Sequence, residues 1–102
     1  MLQVPWPHAL TLTWDEVTWV TRRLFGVEKA AAQGASFLRL PNLRFLKVDS
    51  EIVSLAQTLL EKYSLKPRDG IHAATAIRNN IDQILSYDQD FDILPDLVRV
   101  TP

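Results

Sequence analysis

Short apolar runs alternate along this chain with longer stretches that repeat every three to four residues, and that alternation sets the expected fold. Ala9-Leu10-Thr11-Leu12 has the character of a brief strand. A helix is expected from Thr13 to about Phe25, because Thr13-Trp14-Asp15-Glu16 fits a capping box and Gly26 supplies a stop. A second helix is expected over residues 27–38, interrupted or weakened at Gly34 and prevented from continuing by Pro41. Leu43 to Val48 reads as a strand. Asp49 is a good N-cap for the clearest helix, in which Ile52, Leu55, Ala56, Leu59, Leu60 and Tyr63 form one apolar stripe. Pro67 stands at the start of another helix, from Arg68 to about Asn79. Ile81 to Ser86 reads as a short strand, Tyr87 to Pro95 as a loop with one helical turn, and Leu97 to Thr101 as a last strand. Strands alternating with helices predict a single α/β domain with a mainly parallel sheet.

Composition narrows the chemistry more than the fold. With 102 residues the chain is one domain at most, and 47% hydrophobic residues can furnish a core. No apolar stretch reaches membrane-spanning length, and the first residues lack the basic and apolar regions of a signal peptide. Cysteine is absent, which removes disulfides and thiolate zinc sites and fits an intracellular, cytoplasmic protein. His8 and His72 are the only imidazoles, so a histidine-rich metal site is excluded. The net charge of −1 conceals an asymmetry. Residues 1–80 hold ten Lys/Arg against seven Asp/Glu, while residues 81–102 hold one Arg against five Asp. A weakly basic body with an acidic tail can suit a nucleic-acid enzyme with a metal site, though charge alone favours a set of solvated loop carboxylates.

Three acids stand where an apolar element meets a turn or a helix start. Glu16 lies in the first turn of a helix that directly follows a strand, where it can cap a free amide or bind a metal. Asp69 opens the helix after Pro67, with His72, Ala73 and Ala76 on its face. His72 reads as an orienting or packing residue rather than a ligand. Asp88 follows the strand that ends near Ser86, and alternation carries the Ser86 hydroxyl and the Asp88 carboxylate to one side. Asp90 is two residues further on, Phe91 anchors the loop, and an Asx turn is the alternative use of these aspartates. Arg22 and Arg23 close the first long helix, where they can contact phosphate or complement the helix C-terminus. In an α/β domain such junctions can converge at one end of the sheet. Carboxylates brought together repel one another, and a divalent cation is the usual compensation. An all-oxygen set favours magnesium or manganese over zinc. A phosphate-binding glycine loop, His-Glu-x-x-His and a nucleophile elbow are all missing from the sequence.

These segments resemble the PIN-domain family, and most closely the ribonuclease toxins of prokaryotic VapC-type toxin–antitoxin pairs. The resemblance runs from about Leu10 to Pro102. Thr11-Leu12-Thr13-Trp14-Asp15-Glu16-Val17 is similar to the segment bearing the family's second acid, here Glu16. Arg68 to Ala76 is similar to the helix start bearing the third, here Asp69. Ser86-Tyr87-Asp88-Gln89-Asp90-Phe91 is similar to the Thr/Ser-x-Asp-x-Asp-Phe segment that places the fourth at Asp88. The resemblance implies a three-layer α/β/α PIN-like fold and an Mg2+- or Mn2+-dependent endoribonuclease. Glu16, Asp69 and Asp88 would be its catalytic metal ligands, with Ser86, Asp90 and His72 in support and Arg22 and Arg23 on RNA. It also implies an antitoxin protein that covers the site.

The family's central first strand, with its own Asp, has no counterpart here, since the first carboxylate is Asp15. A shortened chain, or divergence to a weak or inactive PIN remnant that binds RNA or protein, would each account for this. A generic α/β domain whose acids are only caps and turns is the remaining alternative. The strand-sized gap is expected to be filled by the N-terminal segment or by a partner chain. Pro5 and Pro7 favour the partner, and hence a homo-oligomer.

Overall fold

The computed structural model describes residues 2–4, 10–12, 14–41 and 43–101, and for residues 2–4 and 10–12 it describes the backbone alone. The elements follow the expected order with one addition. Strand β1 (Leu2–Val4) precedes β2 (Leu10–Leu12), α1 (Trp14–Phe25) and α2 (Val27–Leu38). Then come β3 (Arg44–Phe45), α3 (Ser50–Tyr63), α4 (Pro67–Arg78), β4 (Gln83–Leu85), a 3-10 helix (Gln89–Ile93) and β5 (Val98–Val100). The strands form one sheet in the order β3-β1-β2-β4-β5. The half that runs β2-β4-β5 is parallel, as the alternation of strands and helices predicts. In the other half β1 is antiparallel to both β2 and β3.

Strand β1 corrects the expectation that a partner chain fills the sheet. Leu2 pairs with Leu12 on one side and Phe45 on the other, so the N-terminal segment itself is an interior strand. The described strand, Leu2–Val4, contains neither proline. The capping hydroxyl expected of Thr13 lies outside the described residues, as do Pro5, Pro7 and His8.

Local sequence accounts for the helices. Gly26 adopts φ 94° between α1 and α2, a conformation closed to most side chains, and its N–H caps Arg22 O at 3.0 Å. Gly34 does not interrupt α2. A Cβ there would lie 2.9 Å from Thr18 Cγ2 and 3.0 Å from Trp14 Nε1, so glycine is what lets α1 and α2 approach. Asp49 Oδ1 accepts from Ile52 N at 3.0 Å at the start of α3, as its N-cap position predicts. The strand expected over Leu43 to Val48 shrinks to Arg44–Phe45, because β1 offers only a short edge for pairing.

The apolar core comes from the second half of the chain. Ile52, Ala56 and Leu59 of α3 pack with Ala73, Ala74 and Ala76 of α4, Ile84 of β4, and Phe91, Leu94 and Leu97 beyond it. The three alanines are fully buried, and their small size lets α4 press close to α3. Helix α1 has no fully buried residue, and α2 has only Ala30 and Gly34. The α1–α2 hairpin therefore leaves Trp19, Leu24, Phe25 and Val27 exposed. Among the described residues no helix is long and apolar enough to cross a membrane.

Candidate metal centre

Three element ends meet at one side of the sheet. Glu16 is the third residue of α1, Asp69 the third residue of α4, and Asp88 lies three residues past the end of β4. Both helices present their N-termini here, where the macrodipole favours negative charge. Glu16, Asp69 and Asp88 line one cleft of about 670 Å³, together with Asp15, Arg22, Arg68, His72 and the two tryptophans Trp14 and Trp19. All three acids reach one cleft, but Glu16, expected beside Asp69 and Asp88 as a ligand, is outside the tight carboxylate group, where Asp90 stands instead.

Asp69, Asp88 and Asp90 approach most tightly, each offering one carboxylate oxygen within 4.8 Å of the others. Asp69 Oδ2 is buried without a hydrogen-bond partner. Burial, then the charge of Asp88, a side-chain hydrogen bond with Asp88 and the charge of Asp90, pushes the Asp69 carboxyl up to about 6, with Lys66 opposing. A buried acceptor among like charges is costly, and a bound cation removes both penalties. The donor set is all carboxylate, which fits a hard divalent ion.

Ser86 organises the rest. Its side chain is 1% exposed, and its hydroxyl donates to Glu16 Oε1 at 2.8 Å. The same oxygen of Glu16 accepts from Tyr87 N at 3.1 Å, and Ser86 Oγ accepts from Asp88 N at 2.9 Å. Asp88 Oδ1 accepts in turn from Asp90 N at 2.9 Å and caps the 3-10 helix. The Asx turn weighed as an alternative to metal binding is therefore present, and it leaves the other oxygen of Asp88 uncommitted to that turn. Phe91, 1% exposed, anchors the turn in the core as expected.

Burial drives the His72 imidazole down to about 4, so it is neutral at physiological pH. It lines the cleft beside Asp69 but is outside the tight carboxylate group. Arg22 faces the cleft, whereas Arg23 is exposed and is not one of the residues lining it. Arg68 pairs with Asp15 at 3.5 Å across the mouth.

The sequence matches the PIN domain family over residues 7–97. The chain belongs to the PIN domain family. Among solved structures, this PIN domain is similar to a chain of a toxin-antitoxin complex from Klebsiella pneumoniae, with a TM-score of 0.55 and 21% identity. The similarity covers 83% of this chain and 66% of that one. No curated protein sequence matches it.

Sequence reasoning left out several residues of this PIN domain's cleft. Trp14, Trp19, Asp15 and Arg68 line it, but none belongs to a spacing pattern that marks a site. Arg99 was also overlooked. Its guanidinium forks onto Asp92, Nε to Oδ1 at 2.9 Å and Nη2 to Oδ2 at 3.1 Å, while Nη1 reaches Ser86 O at 3.3 Å. The signal available was its isolation as the one Arg amid five Asp in residues 81–102.

Proposed function

We propose that this PIN domain is a metal-dependent endoribonuclease of the VapC-type toxin kind, acting on RNA with a partner antitoxin, in the cytoplasm. The observation that carries the reading is the meeting of Asp69, Asp88 and Asp90 in a cleft, with one buried oxygen of Asp69 left unpaired. In this reading Asp69 and Asp88 would hold Mg2+ or Mn2+ with Asp90 in support, and Glu16, expected as a third ligand, faces the same cleft from α1 outside that group. The chemistry such an ion would supply there is a lowered pKa for a bound water and neutralisation of charge on the scissile phosphate.

The chain's own groups do the positioning. The Ser86 hydroxyl and the Tyr87 amide fix one oxygen of Glu16 and leave the carboxylate at the cleft wall. Neutral His72 adds no charge to the cation site. Arg22 offers the cleft a positive group suited to a phosphate, and Arg23 a second one at the surface. Trp19, Leu24 and Phe25 leave apolar surface uncovered on the α1–α2 hairpin, which supports a protein partner or self-association. A sedimentation profile that stays monomeric at all concentrations contradicts the homo-oligomer.

RNA cleavage in Mn2+ by this chain and by Asp69→Asn tests the reading. Activity abolished in the variant supports it, and equal cleavage by the two proteins contradicts it. A second reading is a PIN remnant that binds RNA or protein without cutting. The absence of any acid in Leu2-Gln3-Val4, now an interior strand, favours it. RNA binding by the wild type with no cleavage in Mn2+ would select this alternative.

A further inference from the structure

We infer that Arg99 is the positioning residue of the acid cluster: it ties the 3-10 helix to the end of β4 and so sets the separation of Asp88 and Asp90 from Asp69. The inference rests on the metal-site reading above and adds a residue from β5 that faces the turn from behind. Arg99 is mostly shielded, its side chain 15% exposed, whereas Arg68 and Arg78 in the ion pairs with Asp15 and Glu51 are 76% and 52% exposed. Two of its nitrogens grip both oxygens of Asp92 in the 3-10 helix. The third takes the carbonyl of Ser86 and the hydroxyl of Thr101, both at 3.3 Å.

Ser86 is the joint between this clamp and the acids. Its N–H donates to Val100 O at 3.0 Å, its carbonyl accepts from Arg99, and its hydroxyl joins Glu16 to the Asp88 amide. The five residues from Asp88 to Asp92 are thus held at both ends, by the Ser86 hydroxyl at one and by the Arg99 fork at the other. Each acid in this stretch adds repulsion that would open the turn. A fixed guanidinium beneath it opposes that opening. A lysine would keep the charge but could not reach Asp92 twice and the Ser86 carbonyl together.

Removing partners that orient metal ligands typically costs about 10–100-fold in metal affinity. Calorimetric titration of Mn2+ into the wild type, Arg99→Lys, Asp92→Asn and the double variant tests the inference, with Arg78→Gln as a control in an exposed pair. Thermal melting without metal checks that each protein is folded. The expected result is a loss of about 10–100-fold in Arg99→Lys despite the retained charge, a similar loss in Asp92→Asn, no added loss in the double variant, and no change in Arg78→Gln. Unchanged affinity in a folded Arg99→Lys or Asp92→Asn overturns the role of Arg99 while leaving the metal site standing. Absence of Mn2+ binding by the wild type overturns the metal site and this inference with it.

Discussion

The Ser86 hydroxyl donates to Glu16 Oε1 at 2.8 Å, joining a buried residue to one that lines the cleft seventy positions away. One side chain thereby connects the start of α1 to the end of β4. It also accepts the Asp88 amide, so the position of the acid turn depends on it. Ser86→Ala leaves that amide and the Glu16 oxygen each short of a partner in a site that excludes water from Ser86. A loss of about 1–3 kcal/mol in stability is expected, measured by urea unfolding. A change within about 0.5 kcal/mol would mean that the hydroxyl is not a structural joint.

Asp69→Asn should separate stability from metal binding. The amide keeps the shape of the side chain but cannot ionise, which relieves the burial and the repulsion from Asp88 and Asp90. Without metal, its melting temperature at pH 7 is expected to exceed that of the wild type. With Mn2+ the wild type gains stability and the variant gains little, since it lacks the charge that draws the ion. A metal-free variant that melts below the wild type would contradict the account of Asp69.

The pH dependence of the metal-free protein contains two opposing contributions. Asp69 is raised from 3.8 to about 6, so the folded state holds its proton more tightly than the unfolded chain. Its contribution is fully present below pH 3.8 and is lost as pH rises towards 6. His72 is lowered from 6.5 to about 4, so its contribution is present above pH 6.5 and is lost as pH falls towards 4. Relative to the wild type, His72→Gln should favour the acidic end of the pH 4–6 range, and Asp69→Asn the neutral end. Melting curves across that range check the signs, and shifts in the same direction for both variants would refute them.

Gly34→Ala tests the packing that supports the cleft wall. The added methyl meets Thr18 and Trp14, and Trp14 lines the cleft. Alanine's helix preference, about 1 kcal/mol, acts in its favour. Overpacking in a packed interior costs about 1–3 kcal/mol, and the clash with the short Thr18 side chain and the Trp14 ring is expected to outweigh that preference. A higher melting temperature in Gly34→Ala would show that α1 and α2 can separate without loss.

The sequence disclosed the acids more readily than the sheet. Glu16, Asp69 and Asp88 each sit where a period changes, from strand to helix or from strand to turn, and such changes are visible in one dimension. Phe91 and the α3 stripe were legible for the same reason, because apolar spacing reports burial directly. Strand β1 was not legible, since Leu2-Gln3-Val4 is three residues long and its pairing depends on β2 and β3. Gly34 read as a helix breaker because its use, close approach to Trp14 and Thr18, exists only between two helices. Arg99 escaped notice because its partners, Asp92 and Ser86, lie 7 and 13 residues away on different elements.

The convergence of Asp69, Asp88 and Asp90 on a shared cation is the claim on which the proposed activity depends. Anomalous diffraction from crystals of this chain soaked in Mn2+ tests it most directly. The account predicts a strong peak among these three carboxylates, against the unpaired oxygen of Asp69. A well-diffracting soaked crystal with no peak there, or with Mn2+ bound only at other surfaces, would contradict it.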